Sequence, residues 1–242
     1  MSESLYTRTE MLVKTEGLQR LQSMHVLVVG LGGVGGAAAE MLCRSGVGRL
    51  TLVDGDRVSV TNINRQLIAT ERTVGRPKTE LFAERFKEIN PQCDVRLVTE
   101  FLRDERMVEL LESERYDYVV DAIDTLSPKV FLLYHAHRLQ LPVVSSMGSA
   151  GKLDPTAVCI SDISKSHTCP LAAMVRKRLR RMGVSDGITA VFSTEPVAEH
   201  AMVEELSTNK RTTIGTISYL PVVFGCFCAS VIIRSATINL DK

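Results

Sequence analysis

The sequence predicts an α/β protein with a doubly wound, mostly parallel sheet and a mixed-sheet extension toward its C-terminal side. Three observations carry this. Short apolar runs alternate with helix-period segments, a glycine-rich turn joins the first run to the first helix, and the next run ends on a carboxylate. In order, residues 8–22 read as an amphipathic leading helix and 25–30 (HVLVVG) as a buried parallel strand. A small-residue helix follows over Gly33 to Ser45, and RLTLVD forms a second strand ending at Asp54. Lys78 to Asn90 is a helix stopped before Pro91. Strands at 94–99, 117–121 and 142–147 then alternate with helices at 104–114 and 127–139.

The second half is less regular. Residues 157–163 read as a strand, 170–182 as a basic helix and 191–195 (VFSTE) as another strand. The stretch 196–212 is polar and poor in pattern, the composition of a flexible loop. TISYL (216–220) has strand character, and an apolar helix closes the pattern. The expected organisation is one domain over 1–242: a nucleotide core in 1–150 and a substrate-side extension in 151–242.

Composition excludes several classes. Twenty-nine Lys and Arg against 28 Asp and Glu leave a formal charge of +1, so no global field draws the chain to nucleic acid or membrane. The apolar run Leu220 to Ile233 spans 14 residues, ~21 Å of helix against a ~30 Å bilayer core, which reads as a buried helix. The first 24 residues carry charges throughout and none of the six cysteines form CxxC pairs. Reduced thiols, a cytoplasmic location and no structural zinc are therefore expected.

Gly30-Leu31-Gly32-Gly33-Val34-Gly35-Gly36 has GxGxxG spacing between a strand and a helix, a Rossmann-like arrangement. Such glycines let backbone amides at a helix N-terminus approach phosphate. Asp54, 19 residues beyond Gly35, is placed to accept ribose hydroxyls. This fingerprint alone also fits dinucleotide oxidoreductases. The residues beyond Asp54 favour a nucleoside triphosphate: Asp56, then Asn62, Asn64, Arg65 and Gln66, then Lys78, and Asp124 after the fourth strand. Arg65 suits the departing β and γ phosphates and Lys78 the charge growing at the α-phosphate. Asn62 can donate to phosphate or ribose, and Asp124 suits Mg²⁺.

These motifs, GxGGVGG, DxDxVxxTNxNRQ, GxxK and DAID, resemble in order and spacing the adenylating superfamily that includes ubiquitin-activating enzymes and the molybdopterin- and thiamin-pathway adenylyltransferases. The resemblance implies ATP-site roles for Gly32, Asp54, Asn62, Arg65, Lys78 and Asp124. It also implies a homodimer in which Arg8, within YTRTE, reaches the neighbour's site; a solvated helix-start residue is the other reading of Arg8. Members acting on ubiquitin-like tails usually carry two CxxC pairs. Activation of a sulfur-carrier protein is therefore the secondary expectation, and a nucleotide-sensing scaffold or an NAD oxidoreductase more distant ones.

DAIDTLSPKVFLLYHAHRLQLPVVSSMGSAGKLDPT, SDISK, PLAAMVRKRLRRMGV, VFSTE and ISYLPVVFG look like the tRNA threonylcarbamoyladenosine dehydratase branch of that superfamily. The implied reaction is ATP-dependent cyclisation of the modified adenosine through a carboxyl-adenylate. An intramolecular nucleophile needs no enzyme cysteine, and that branch often has Asp where Cys169 stands, so Cys169 reads as a loop thiol. Cys226 and Cys228, two apart in an apolar helix, read as core. His167, His135 and His137 read as surface or packing residues. Arg176, Lys177, Arg178, Arg180 and Arg181 concentrate five cations in six positions, a solvated face or a patch for tRNA phosphates. Whether a sulfur-transfer protein docks is open from the sequence.

Overall fold

A computed structural model describes residues 4–204 and 212–237. Its centre is a seven-stranded sheet of β1 (His25–Val29), β2 (Arg49–Val53), β3 (Asp94–Val98), β4 (Tyr118–Asp121), β5 (Val143–Ser146), β6 (Val158–Asp162) and β7 (Thr189–Ser193). The spatial order is β3-β2-β1-β4-β5-β7-β6. All neighbours are parallel except β6, which runs antiparallel to β7. The mostly parallel core and mixed extension match the expectation.

Alternation along the strands builds two apolar layers. Val26 and Val28 face a core with Leu50, Leu52, Phe82, Phe86 and Phe224; Leu27 and Val29 face another with Leu110, Leu133, Val175 and Leu179. The first layer takes α1 (Thr7–Ser23), α2 (Gly33–Arg44), α3 (Lys78–Ile89) and α7 (Tyr219–Thr237). The second takes α4 (Asp104–Ser113), α5 (Leu126–Arg138) and α6 (Pro170–Arg181). Helices thus cover both faces, as a parallel sheet requires.

α7 is long and apolar enough by composition to cross a membrane, but Leu220, Phe224, Cys228, Ala229 and Ile232 are buried in the first layer. Their spacing is one helical stripe, and Gly225 lies directly against the Val34 carbonyl and Ala37 of α2. It is a core helix here.

Three expectations are corrected. TISYL is not a strand: 216–218 is irregular and Tyr219 already begins α7. Pro221 stands in that first turn, where a missing amide hydrogen is harmless to a helix but would interrupt a ladder. The stretch 196–212 is not wholly a loop, since β8 (Met202–Glu204) pairs antiparallel with β9 (Thr212–Ile214); residues 205–211 lie outside the described residues. The leading helix is broken at Lys14 (φ 61°, ψ 170°). On an unbroken helix Val13 and Leu18 would point about 140° apart, and the break lets both be buried.

Candidate active site

The strand order reverses between β1 and β4, opening a crevice at the carboxyl ends of the strands. The glycine turn occupies it. Gly30 has φ +90°, and a Cβ there would stand 2.8 Å from the Ala122 carbonyl oxygen. At Gly35 the clash would be total, 1.8 Å from the Gly30 oxygen. Only glycine fits at either position. Gly32 caps α2, whose first amides have no partner within the helix and face the crevice.

Asp54, just past β2, braces this turn. Its Oδ2 accepts the Leu31 amide at 2.6 Å and its Oδ1 the Asp56 amide at 2.7 Å. Burial raises the carboxyl pKa, while Lys78 and the two amides pull it down. Lys78 opens α3 behind Pro77 with a nearly buried side chain (5 % exposed). Its Nζ donates to Asp56 Oδ2 at 2.9 Å and lies 3.7 Å from Asp54 Oδ2. One cation therefore binds both carboxylates of the DGD turn.

The TNxNRQ segment closes the other wall. Ser59 and Asn62 form a capping box around a 3₁₀ turn, which uses the Asn62 carboxamide oxygen and leaves its NH₂ as the donor for a ligand. Arg65 Nη1 donates to the Thr61 carbonyl and Asn64 Oδ1. The Asn64 amide donates to the Thr216 carbonyl at 2.8 Å, tying the core to the extension. Gln66 is buried beside Gly32, and its Oε1 has no hydrogen-bond partner among the described residues. A buried orphan acceptor beside a phosphate-type loop marks a place for a ligand donor.

Asp124 is exposed on the turn after β4, and Ala122 of that turn seats Gly30 and Gly35. The structure thus gathers Gly30, Gly32, Gly33, Gly35, Asp54, Asp56, Asn62, Arg65, Gln66, Lys78 and Asp124 at one sheet edge, with Asn64 turned toward the extension. Among the described residues no three His, Cys, Asp or Glu side chains group as a metal cage. A Mg²⁺ ion held by one carboxylate and substrate phosphates needs no such cage, so Asp124 fits that donor set. Arg8 is exposed in the first turn of α1, where a cation opposes the helix dipole.

The basic helix is not uniform. Lys177, Arg178, Arg180 and Arg181 are exposed, and Arg178 donates to Ser127 Oγ at 2.9 Å. Arg176 instead is half-buried and donates to Ser166 Oγ. Cys169 is buried as the cap of α6, and Cys228 is fully buried with its thiol pKa pushed up to about 12 by desolvation. His135 packs on Phe131 and Tyr134, His137 lies beside Gly187, and His167 meets the Phe192 ring edge-on.

Two features are not evident from the sequence. Glu195 accepts the Leu153 and Asp154 amides, and its carbonyl accepts the buried Lys152 ammonium, so VFSTE pins the loop after β5. Asp121, Lys129 and Ser145 form a wholly buried polar cluster. Removing such ions from water costs of order several kcal/mol each before their attraction repays it. A lysine in the apolar run PKVFLL is the signal that could have found it.

Comparison with known proteins adds to this geometry. The model of the ThiF family matches residues 6–239. The tRNA threonylcarbamoyladenosine dehydratase of Bacillus subtilis is 45 % identical over 190 residues, 78 % of this chain and 74 % of that protein. The enzyme of the same description from Haemophilus influenzae is 41 % identical over 229 residues, 90 % and 87 % of the two chains. The solved structure of E. coli tRNA N6-threonylcarbamoyladenosine dehydratase in complex with ATP superposes with a TM-score of 0.88 at 36 % identity, covering 96 % of this chain and 93 % of that one.

Proposed function

The chain belongs to the ThiF family, and from that premise we propose that it catalyses ATP-dependent dehydration of N6-threonylcarbamoyladenosine in tRNA. The observation that carries this is the assembly at one sheet edge of a glycine turn, a ribose-type carboxylate and a buried lysine, in a chain similar along most of its length to enzymes of that description.

In this reading the α2 amides and glycine turn receive the triphosphate, and Asp54 and Asn62 receive the ribose. The threonyl carboxylate attacks the α-phosphorus, forming an acyl-adenylate and expelling pyrophosphate. The ureido group of the same modification then attacks the acyl carbon, closing the ring and expelling AMP, for a net loss of one water. Lys78 and Arg65 stabilise charge that grows in the first step, where preorganised cations in a water-poor site act most strongly. Asp124 would hold Mg²⁺, which when bound neutralises phosphate charge. Arg8 of a second copy completes the site in a homodimer. The exposed cations of α6 bind tRNA phosphates, and the reaction is cytoplasmic.

The deciding experiment is mass spectrometry of tRNA nucleosides after incubation with the protein, Mg²⁺ and ATP. The expected result is loss of one water from threonylcarbamoyladenosine with stoichiometric AMP. Unchanged nucleoside mass with no pyrophosphate refutes the reading.

A further inference from the structure

Beneath the glycine turn lies an ion pair to which the proposed reaction gives no task. Asp121, the last residue of β4, and Lys129, in α5, are both 0 % exposed. Asp121 Oδ2 accepts Lys129 Nζ at 2.6 Å and Ser145 Oγ at 2.6 Å. A packed apolar pair of similar volume would serve stability equally or better.

What the carboxylate adds is its second oxygen. Asp121 Oδ1 accepts the Ile123 amide at 3.1 Å, and the Ala122 amide donates to the Val29 carbonyl of β1 at 2.9 Å. Those two bonds bend the chain out of β4 so that Ala122 seats Gly30 and Gly35 and Asp124 emerges at the sheet edge. With Oδ2 held by Lys129 and Ser145, the carboxylate plane and so the direction of Oδ1 are fixed.

We propose that Lys129, acting through Asp121, is a positioning residue that sets the 121–124 turn for the nucleotide and its metal ion. This rests on the ATP-dependent reading above. It assigns the buried charges to the precision of the turn rather than to the stability of the fold.

The test replaces the pair in two ways in the full chain and reads Mg·ATP affinity by calorimetry alongside kinetics. Asp121→Leu with Lys129→Met removes the charges and the acceptor. The buried Ser145 hydroxyl loses both partners, so this variant should melt a few degrees below the wild type, while KM for Mg·ATP rises and kcat falls, each about tenfold, with KM for tRNA unmoved. Asp121→Asn with Lys129→Met restores an acceptor for Ile123 without the lysine that orients it and should recover only part of that loss; full recovery would show Lys129 to be dispensable and overturn its role. Wild-type kinetics in the Leu and Met pair, or activity that tracks melting temperature in both pairs, overturns the positioning role. If the first pair does not fold, Ser145→Ala decides: Mg·ATP affinity should fall about threefold, and unchanged affinity overturns the proposal. Wild-type protein that binds no Mg·ATP refutes the ATP reading and takes this inference with it; wild-type binding with unaltered variants refutes this inference alone.

Discussion

At the amino edge of the sheet, His25, Arg49, Asp94, Arg96, Glu114 and Asp117 form a network of ion pairs and hydrogen bonds. Arg49 bonds Asp94 at 2.9 Å and Glu114 at 2.8 Å, Arg96 bonds Glu114, and the His25 amide donates to Asp117 at 2.8 Å. At the carboxyl edge, Asp54, Asp56 and Lys78 are also paired, but beside helix amides with no partner in the helix and the orphan Gln66 oxygen. The first network joins strand ends through ion pairs, although Arg49 Nε and Glu114 Oε2 make no hydrogen bond among the described residues. The second leaves helix amides free to donate to an anion and the Gln66 oxygen free to accept from a ligand donor. On the proposed reading, similar charge chemistry at two ends of one sheet serves stability at one end and a ligand at the other.

The largest expected effect strikes the carboxyl edge. Lys78→Ala should lower AMP formation by about 10²–10³-fold, while ATP still binds to the glycine turn measurably by calorimetry. Asp124→Ala should behave alike. Turnover at the wild-type rate in either variant would erase the functional half of the contrast.

Next in size is the effect of charge reversal on α6. Arg178→Glu with Arg181→Glu should weaken tRNA binding about 10–100-fold and flatten its salt dependence by up to about two phosphate contacts. ATP affinity should not move. Identical tRNA affinity across a salt series would remove this face from the interface.

At the amino edge, Glu114→Gln loosens a half-exposed network and should lower stability by about 1 kcal/mol, shifting Tm by about 2–4 °C. Its kcat should equal that of the wild type. A kinetic defect there would show that the two edges are not separable.

Locality decides how much of this is legible in the sequence. The glycine turn, Asp54, Lys78 and Asp124 sit at strand or helix ends inside short motifs, so spacing alone brings them to one edge. The ribbon of 202–204 and 212–214 pairs across a polar stretch with little pattern, and no local feature announces the pairing. TISYL misleads because its β-branched residues outweigh the nearby Pro221. Arg176 reads as one of a run of exposed cations, although it is four residues from buried Ala172 and next to buried Val175, on the inward stripe. Burial of Lys129 and its partnership with Ser145 depend on β5 pairing with β4, which only the fold supplies.

The smallest effect tests the amino edge by pH. Burial is the main cause lowering the His25 pKa, with Arg49 acting in the same direction and Glu114 opposing. His135 is lowered too, chiefly by burial. A histidine whose folded pKa lies below its unfolded value of about 6.5 binds fewer protons when folded. Its contribution to stability is therefore fully present above that pH and declines as pH falls from there through the folded value. Each such group contributes a slope of at most about 1.4 kcal/mol per pH unit within that window. Urea unfolding at pH 7.5 and 5.5 should show the lower pH less stable, and His25→Gln should shrink the difference. Protonated His25 would also face Arg49, so loss should begin at the β1 end, seen as earlier exchange of the Val26 amide than of amides in β4. An equal pH dependence in His25→Gln would mean that the amino-edge ion pairs accommodate an extra proton on His25 without loss of stability.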